Sequence, residues 1–397
     1  MRGASPGAAD RPVDSMCADA GSSVGSPPMS TTHRNALIII GIACLVGTAF
    51  GVSFTLALDR PKPHEVPAGI VVTPSTRQAA ADLEAHTQGG LAFRPYPTTA
   101  AVEQALDQQL IYAGLVPSGA GAQLLVASAA GSSVAEVFER AAGTQIVVVD
   151  VRPLPDGDSS GLLPFYLTLA ATVTGFVTMF QLRTHASRLS LRAWLLCVLS
   201  VAAITGGMLA ILTGTVTGSQ HGPLPVVWAA LTAMIVVAAL WASTMQVLAG
   251  PWTFIPTFVF LMVVGIPSSG GAVATSLLPA FYRFLARFVP SGAAVETIRD
   301  ALYFRDTQDA EPIAVLAAWI VCLIAALLLA ARLRGRTPGG QPYHPGRCTP
   351  PADPPRSCAS RPSPHRGCPS PSVMPRSTSP TKERSSAWPG RSCRRRS

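Results

Sequence analysis

Charge is the scarcest thing in this chain. Only 13% of its 397 residues are Asp, Glu, Lys or Arg, against 48% hydrophobic, where a soluble domain carries about a quarter charged residues. Cysteine is sparse as well. None of the eight lies between Leu58 and Gly161, so that stretch must fold without disulfides. No CxxC pair starts a zinc site. No GxxxxGK[ST] cradle for nucleotide phosphates occurs, and neither HExxH nor a GxSxG elbow is present. His64, among prolines, and His86, near a predicted helix end, are isolated residues read as solvated. These absences argue against an enzyme, and no cofactor or metal is expected.

What the chain has instead is long uncharged apolar runs. Ala36–Leu58, Leu162–Leu182, Ala193–Gly214, Val226–Leu248 and Ile313–Ala331 approach the ~20 residues that cross about 30 Å of hydrocarbon. Trp252–Ile266 is a sixth, shorter run interrupted by Pro256. None of the six contains Asp, Glu, Lys, Arg or His. Carriers driven by protons or sodium usually need ionisable groups or unwound helices at mid-membrane. Gln181 and Gln246 sit at the ends of their runs and read as interfacial hydrogen-bonding groups. Gly47 and Gly51 form a GxxxG that permits close helix contact.

The basic residues order the topology. Arg34 precedes the first run, Arg183, Arg188 and Arg192 fill the loop after the second, and Arg332, Arg334 and Arg336 follow the last. With six spans, all three groups fall on the cytoplasmic side, together with both termini. The expectation is an α-helical polytopic membrane protein of the plasma membrane with about six spans. Ala36–Leu58 is then an uncleaved anchor following a disordered N-terminus, residues 1–35. Residues 59–160 are outside, as are 267–306. The net charge of +9 belongs to residues 337–397, with ten Arg and one Lys against Asp353 and Glu383. Fourteen of the 36 prolines lie there too. This stretch is expected to be a disordered, dispensable tail rather than an arm for anionic lipid or nucleic acid.

Residues 59–160 alternate signals. Strand-like runs near 68–74, at LAFRPYP, IYAGLVP, AQLLVASAAG and TQIVVVDVRPLP are separated by capped helical stretches. The order β-α-β-α-β-β-α-β predicts one small α/β domain. Asp156, Asp158, Ser159 and Ser160 follow as a polar collar before the second span.

The segment after the sixth run is the most distinctive. Pro267-Ser268-Ser269-Gly270-Gly271 breaks the preceding helix. Leu277, Leu278, Phe281, Phe284, Leu285 and Phe288 then recur at helical spacing, with Arg283 and Arg287 on another face. Pro290-Ser291-Gly292 breaks the chain again, and Val295, Ile298 and Leu302 mark a second short helix. Two amphipathic helices in a hairpin suit the outer membrane interface, with arginines reaching water or headgroups.

This series, with Leu278-Pro279-Ala280-Phe281, Ile298-Arg299-Asp300 and Tyr303-Phe304, resembles the segment before the last span in the ABC type-2 permease superfamily. The likeness is closer to its phage-infection-protein (YhgE/Pip) branch. IYAGLVPSG and LLVASAAG resemble segments of that branch's outer domain, and the resemblance covers roughly residues 36–333. It implies an exporter-like subunit of unknown substrate, a separate ABC ATPase, a homodimer, the lipid bilayer as surroundings and no nucleic acid. It also implies that Pro267, Gly270, Gly271, Pro279, Pro290, Gly292 and Arg299 shape a hairpin capping the outer mouth. Residues 1–33 show no amphipathic helix of the kind such permeases present to an ATPase. A membrane scaffold or surface receptor, in a secretion apparatus or in phage adsorption, therefore stands as the alternative.

Overall fold

A computed structural model describes residues 29–58, 62–119, 121–186, 189–217, 224–304 and 309–334. The expected disorder of residues 1–28 and 337–397 lies outside them. The N-terminal expectation is corrected at one point: helix α1 runs Met29–Leu58, so residues 29–35 are helical.

The α/β domain has the element order expected: β1 Val66–Val71, α2 Pro74–His86, β2 Leu91–Tyr96, α3 Thr99–Asp107, β3 Ala113–Ser118, β4 Gly121–Val126, α4 Ser132–Ala142 and β5 Val147–Asp150. The sheet order is β2-β1-β3-β4-β5, parallel throughout except for the β3–β4 hairpin. Thr73 and Thr98 start their helices by accepting the backbone N–H three residues on. The alternation of β3 and β4 divides the core in two. Leu115 and Leu124 face α2 and α4, packing with Leu83, Val134 and Phe138. Val116 and Leu125 face α3, packing with Val102 and Leu106.

Five helices are long and apolar enough to cross a membrane: α1, α5 (Leu163–His185), α6 (Leu191–Val216), α7 (Leu224–Ala249) and α11 (Ala310–Arg334). Each long helix runs past its apolar stretch, because polar ends extend a helix without lengthening its hydrophobic band. With this many such helices the chain is a multi-pass membrane protein. Helix α7 is the hub, packing against α5, α6 and α11.

The sixth run forms a composite piece. After a 3₁₀ turn at Gly250–Trp252 come α8 (Phe254–Phe258) and a π-helical stretch, Val259–Gly265. At 12 residues Phe254–Gly265 is below the length of the other spans. Its two ends are held by different partners. Near its start, Thr253 donates to the Gln246 side chain (2.8 Å), which also accepts from Arg183 at the end of α5. Near its finish, the Gly265 carbonyl accepts from Ser291 (2.7 Å). Arg334, ending α11, donates to the Leu248 carbonyl (2.7 Å) at the first of these ends.

The hairpin segment consists of α9 (Ala280–Ala286) and α10 (Pro290–Tyr303). Helix α9 has one buried residue, Tyr282, and Phe281, Phe284 and Phe288 are exposed in and just beyond it. Helix α10 departs from the interfacial helix expected. Ten of its 14 residues are buried, and it packs into the bundle against α5, α7 and α11. Pro290-Ser291-Gly292 is the first turn of this helix rather than a break, since proline's missing N–H is harmless at N1.

Candidate functional site

The seven hairpin residues converge on one junction, where the α/β domain meets the bundle. Gly270 adopts φ +70°, a conformation that glycine takes without strain, and its carbonyl accepts from Arg299 Nη2 at 2.9 Å. Gly271 lets the loop touch α5 and α10: a Cβ there would come within 2.9 Å of Phe165 and 3.2 Å of Val295. Gly292 fits where a Cβ would stand 2.9 Å from the Ala286 carbonyl. Pro267 and Pro290 are buried at the starts of their turns, and Pro279 precedes α9 in extended conformation. The motif thus folds back on itself, with Arg299 fastening α10 to the glycine loop.

From this knot the segment reaches into both halves of the α/β core. Ala274 and Leu277 join the cluster under α2 and α4, and Phe304 joins the cluster under α3. The Ala274 N–H donates to Ser133 Oγ at the start of α4 (3.1 Å), and the His64 N–H donates to the Ser276 carbonyl (3.1 Å). The hairpin is therefore a structural part of the domain as well as of the bundle.

Four further residues complete the junction: Asp158, Tyr303, Asp300 and Gln109. Asp158 is a buried cap rather than part of a solvated collar. Its carboxylate accepts the Leu162 and Leu163 N–H groups (3.1 and 3.0 Å) at the start of α5 and the Tyr303 hydroxyl at the end of α10. Burial, then the Asp158 hydrogen bond and charge, raise the Tyr303 phenol well above its ordinary value. Tyr303 thus stays a donor. Gln109 Nε2 donates to Asp300 Oδ1 across the interface (2.8 Å). Burial raises the Asp300 carboxyl, and that hydrogen bond only partly offsets it. A helix-starting Asp just before an apolar run is the one signal that could have marked Asp158. Nothing local marks Gln109, whose partner is 191 residues away.

The seam around Arg299, Gly270, Gly271, Ser128 and Ser132 encloses only about 10 Å³, the room one water needs. It is a closed joint and not a ligand pocket. Among the described residues no group of three or more His, Cys, Asp or Glu is placed to hold a metal ion. The arrangement can transmit position: an α/β domain and a helical bundle share one buried, hydrogen-bonded segment.

No curated protein and no solved structure matches the chain. The model of one family matches residues 96–325, more than half of the chain, from the end of β2 through the junction and into α11. The chain belongs to the family described as protein of unknown function DUF3533.

Proposed function

We propose that this chain is the permease-like membrane subunit of an export system, of unknown substrate, in the plasma membrane. It has six spans, both termini in the cytoplasm and the α/β domain outside. The observation that carries this reading is the hairpin, lodged between bundle and domain at the end of the bundle away from Arg183 and Arg334. Arg183 and Arg334, gathered at the proposed cytoplasmic end, fit the usual charge bias of membrane proteins. Phe254–Gly265 serves as the sixth crossing, extended on either side by the 3₁₀ turns Gly250–Trp252 and Pro267–Ser269. The apolar runs hold no Asp, Glu, Lys, Arg or His, and on this reading the energy comes from a separate ABC ATPase. The chain itself is not an enzyme. A homodimer of the kind found in ABC type-2 permeases goes with this reading.

One observation favours the alternative, a scaffold or surface receptor. Helix α10 fills the space among α5, α7 and α11, which makes the outer end of the bundle a fixed structure. The two readings separate on one experiment. Tagged protein is recovered from native membranes, and bound proteins are identified. Export predicts a nucleotide-binding subunit whose ATP hydrolysis changes when the two are reconstituted together. Recovery without any ATPase overturns export in favour of the scaffold. For the topology, a cysteine replacing Gln88 should react with an impermeant thiol reagent in intact cells and one replacing Ser187 should not; the reverse pattern overturns it.

A further inference from the structure

We propose that a groove on the α/β domain, next to the end of α1, binds a phosphate-bearing anion, supplied by a lipid headgroup. The groove measures about 440 Å³, within the range of small-molecule sites. Three stretches form it: the strap 62–64, the turn after α2 and the last turns of α4, which contribute Val137 and Arg140. Its walls are fixed. Gln88 and Gly89 take φ +56° and +76° in the turn. Gly90 lies so close to the strap that a Cβ would fall 2.4 Å from the Pro63 carbonyl oxygen. The His64 and Val66 N–H groups tie the strap to Ser276 and Gly90.

The lining is one-sided in charge. Lys62, His64, His86 and Arg140 contribute to it, and no carboxylate does. Acids neighbouring these residues in the chain are outside the lining: Glu65, Glu84 and Glu139 are exposed, Asp82 is bonded by Gln78 (3.2 Å), and Glu136 pairs with Arg140 (3.0 Å) at a site where both are about two-thirds exposed. An exposed pair of this kind holds Arg140 weakly. His86 Nδ1 donates to the Asp82 carbonyl (2.7 Å), so Nε2 donates to an anion only as the imidazolium. His64 Nδ1 is buried with no protein partner. Lys and Arg side chains with histidine nitrogens in one concave site are the donor set that holds phosphate oxygens.

The position gives the source. Lys62 is four residues beyond Leu58, the last residue of α1, and four extended residues reach at most about 14 Å. The groove therefore stays within headgroup distance of the end of that helix. The lipid source rests on reading α1 as a span; the anion chemistry does not.

The full-length protein, purified in neutral detergent, is titrated with three probes: dioctanoyl phosphatidylglycerol, dioctanoyl phosphatidylcholine and glycerol 3-phosphate. Binding is followed by native mass spectrometry. The expected result is a preference for phosphatidylglycerol that falls about tenfold or more in the double variant K62Q/R140Q, with the melting temperature unchanged. Equally tight binding of glycerol 3-phosphate, lost in the same variant, supports the anion site and overturns the lipid source. Binding of all three probes unaltered by the double substitution overturns the site itself. H64Q, at a position with no side-chain hydrogen bond to lose, provides a second variant if the double one folds poorly; a loss of affinity there supports the site, and unchanged affinity in both variants refutes it.

Discussion

Over an apolar stretch of 18 residues in each, the α1 and α7 spans are nearly equal in mean hydropathy, 2.4 and 2.2, yet 11% of that stretch is buried within the protein in one and 56% in the other. Hydropathy reports what a helix avoids, which is water, and is silent on whether lipid or protein takes water's place. The difference lies in small residues at close approaches. On α5, Gly175 faces α7, and a Cβ there would come within 2.4 Å of the Ile235 carbonyl and 2.7 Å of Ala238. On α1, Gly41, Gly47 and Gly51 have nothing within 4 Å of such an atom. The same residue type is a packing requirement on one helix and idle on the other.

The sharpest way to break this comparison is Gly175→Val. The added atoms have backbone on one side and a helix neighbour on the other, so α5 and α7 must separate. Overpacking of this kind costs about 1–3 kcal/mol or more. The folded fraction on size-exclusion chromatography should collapse, with a clear drop in melting temperature. A variant with native yield and melting temperature would mean that α5 and α7 do not approach this closely.

Second in size is the junction. Asp158→Ala removes the acceptor for two backbone N–H groups of α5 and for Tyr303, at a position only 9% exposed. Stranding buried donors costs about 1–3 kcal/mol. Tyr303→Phe removes one of the three bonds and should cost less. The double variant should be less destabilised than the two single changes summed, because both remove the same bond. Strict additivity in thermal unfolding would show that the Asp158–Tyr303 bond contributes nothing.

How much of this was legible in the sequence divides along the same line. In the α/β domain helices cover both faces of the sheet, so β3 and β4 read as short apolar runs bounded by turn residues, in which Leu115 and Val116, or Leu124 and Leu125, take opposite faces. Threonine caps fix the starts of α2 and α3, whereas α4 begins after Gly131 without the side-chain cap expected. In the bundle almost every position is apolar, and periodicity carries no such message. The apolar runs were readable; the hub role of α7 was not. Helix α10 was misread for a related reason. Val295, Ile298 and Leu302 give it an apolar face, but the small residues Gly292, Ala293, Ala294, Ser291 and Ala301 bury its other sides too, and small residues look neutral in a sequence. Asp158 reads as part of a polar collar in the sequence because its side-chain partner, Tyr303, is 145 residues away.

A smaller effect follows from Asp300. Burial raises its carboxyl above the ordinary value in the folded protein, so the folded state holds a proton that the unfolded chain releases. The stability linked to that proton is fully present below the unfolded value of about 3.9. It is lost as pH rises through the raised folded value. Asp300→Asn keeps an acceptor for Gln109 and removes the titration. Between pH 4 and 7 the variant should show a flatter decline in melting temperature than the unmodified protein. Identical slopes would mean that Asp300 titrates as freely in the fold as in the unfolded chain.

The smallest effect is expected on α1. Gly47→Val adds the same atoms as Gly175→Val, but into space where no protein atom lies within 4 Å. Replacing a helical glycine also removes some backbone freedom from the unfolded chain, a gain of a few tenths of a kcal/mol that valine's stiffness largely cancels. Melting temperature and yield of the isolated chain should therefore match the unmodified protein. The substitution also tests the proposed homodimer, because Gly47 and Gly51 would allow a second α1 to approach closely. If cross-linking in membranes finds a dimer that Gly47→Val abolishes while the monomer's melting temperature holds, the second copy sits on α1. If the monomer itself is destabilised, α1 packs more tightly than the contrast with α7 allows, and the comparison between the two helices fails.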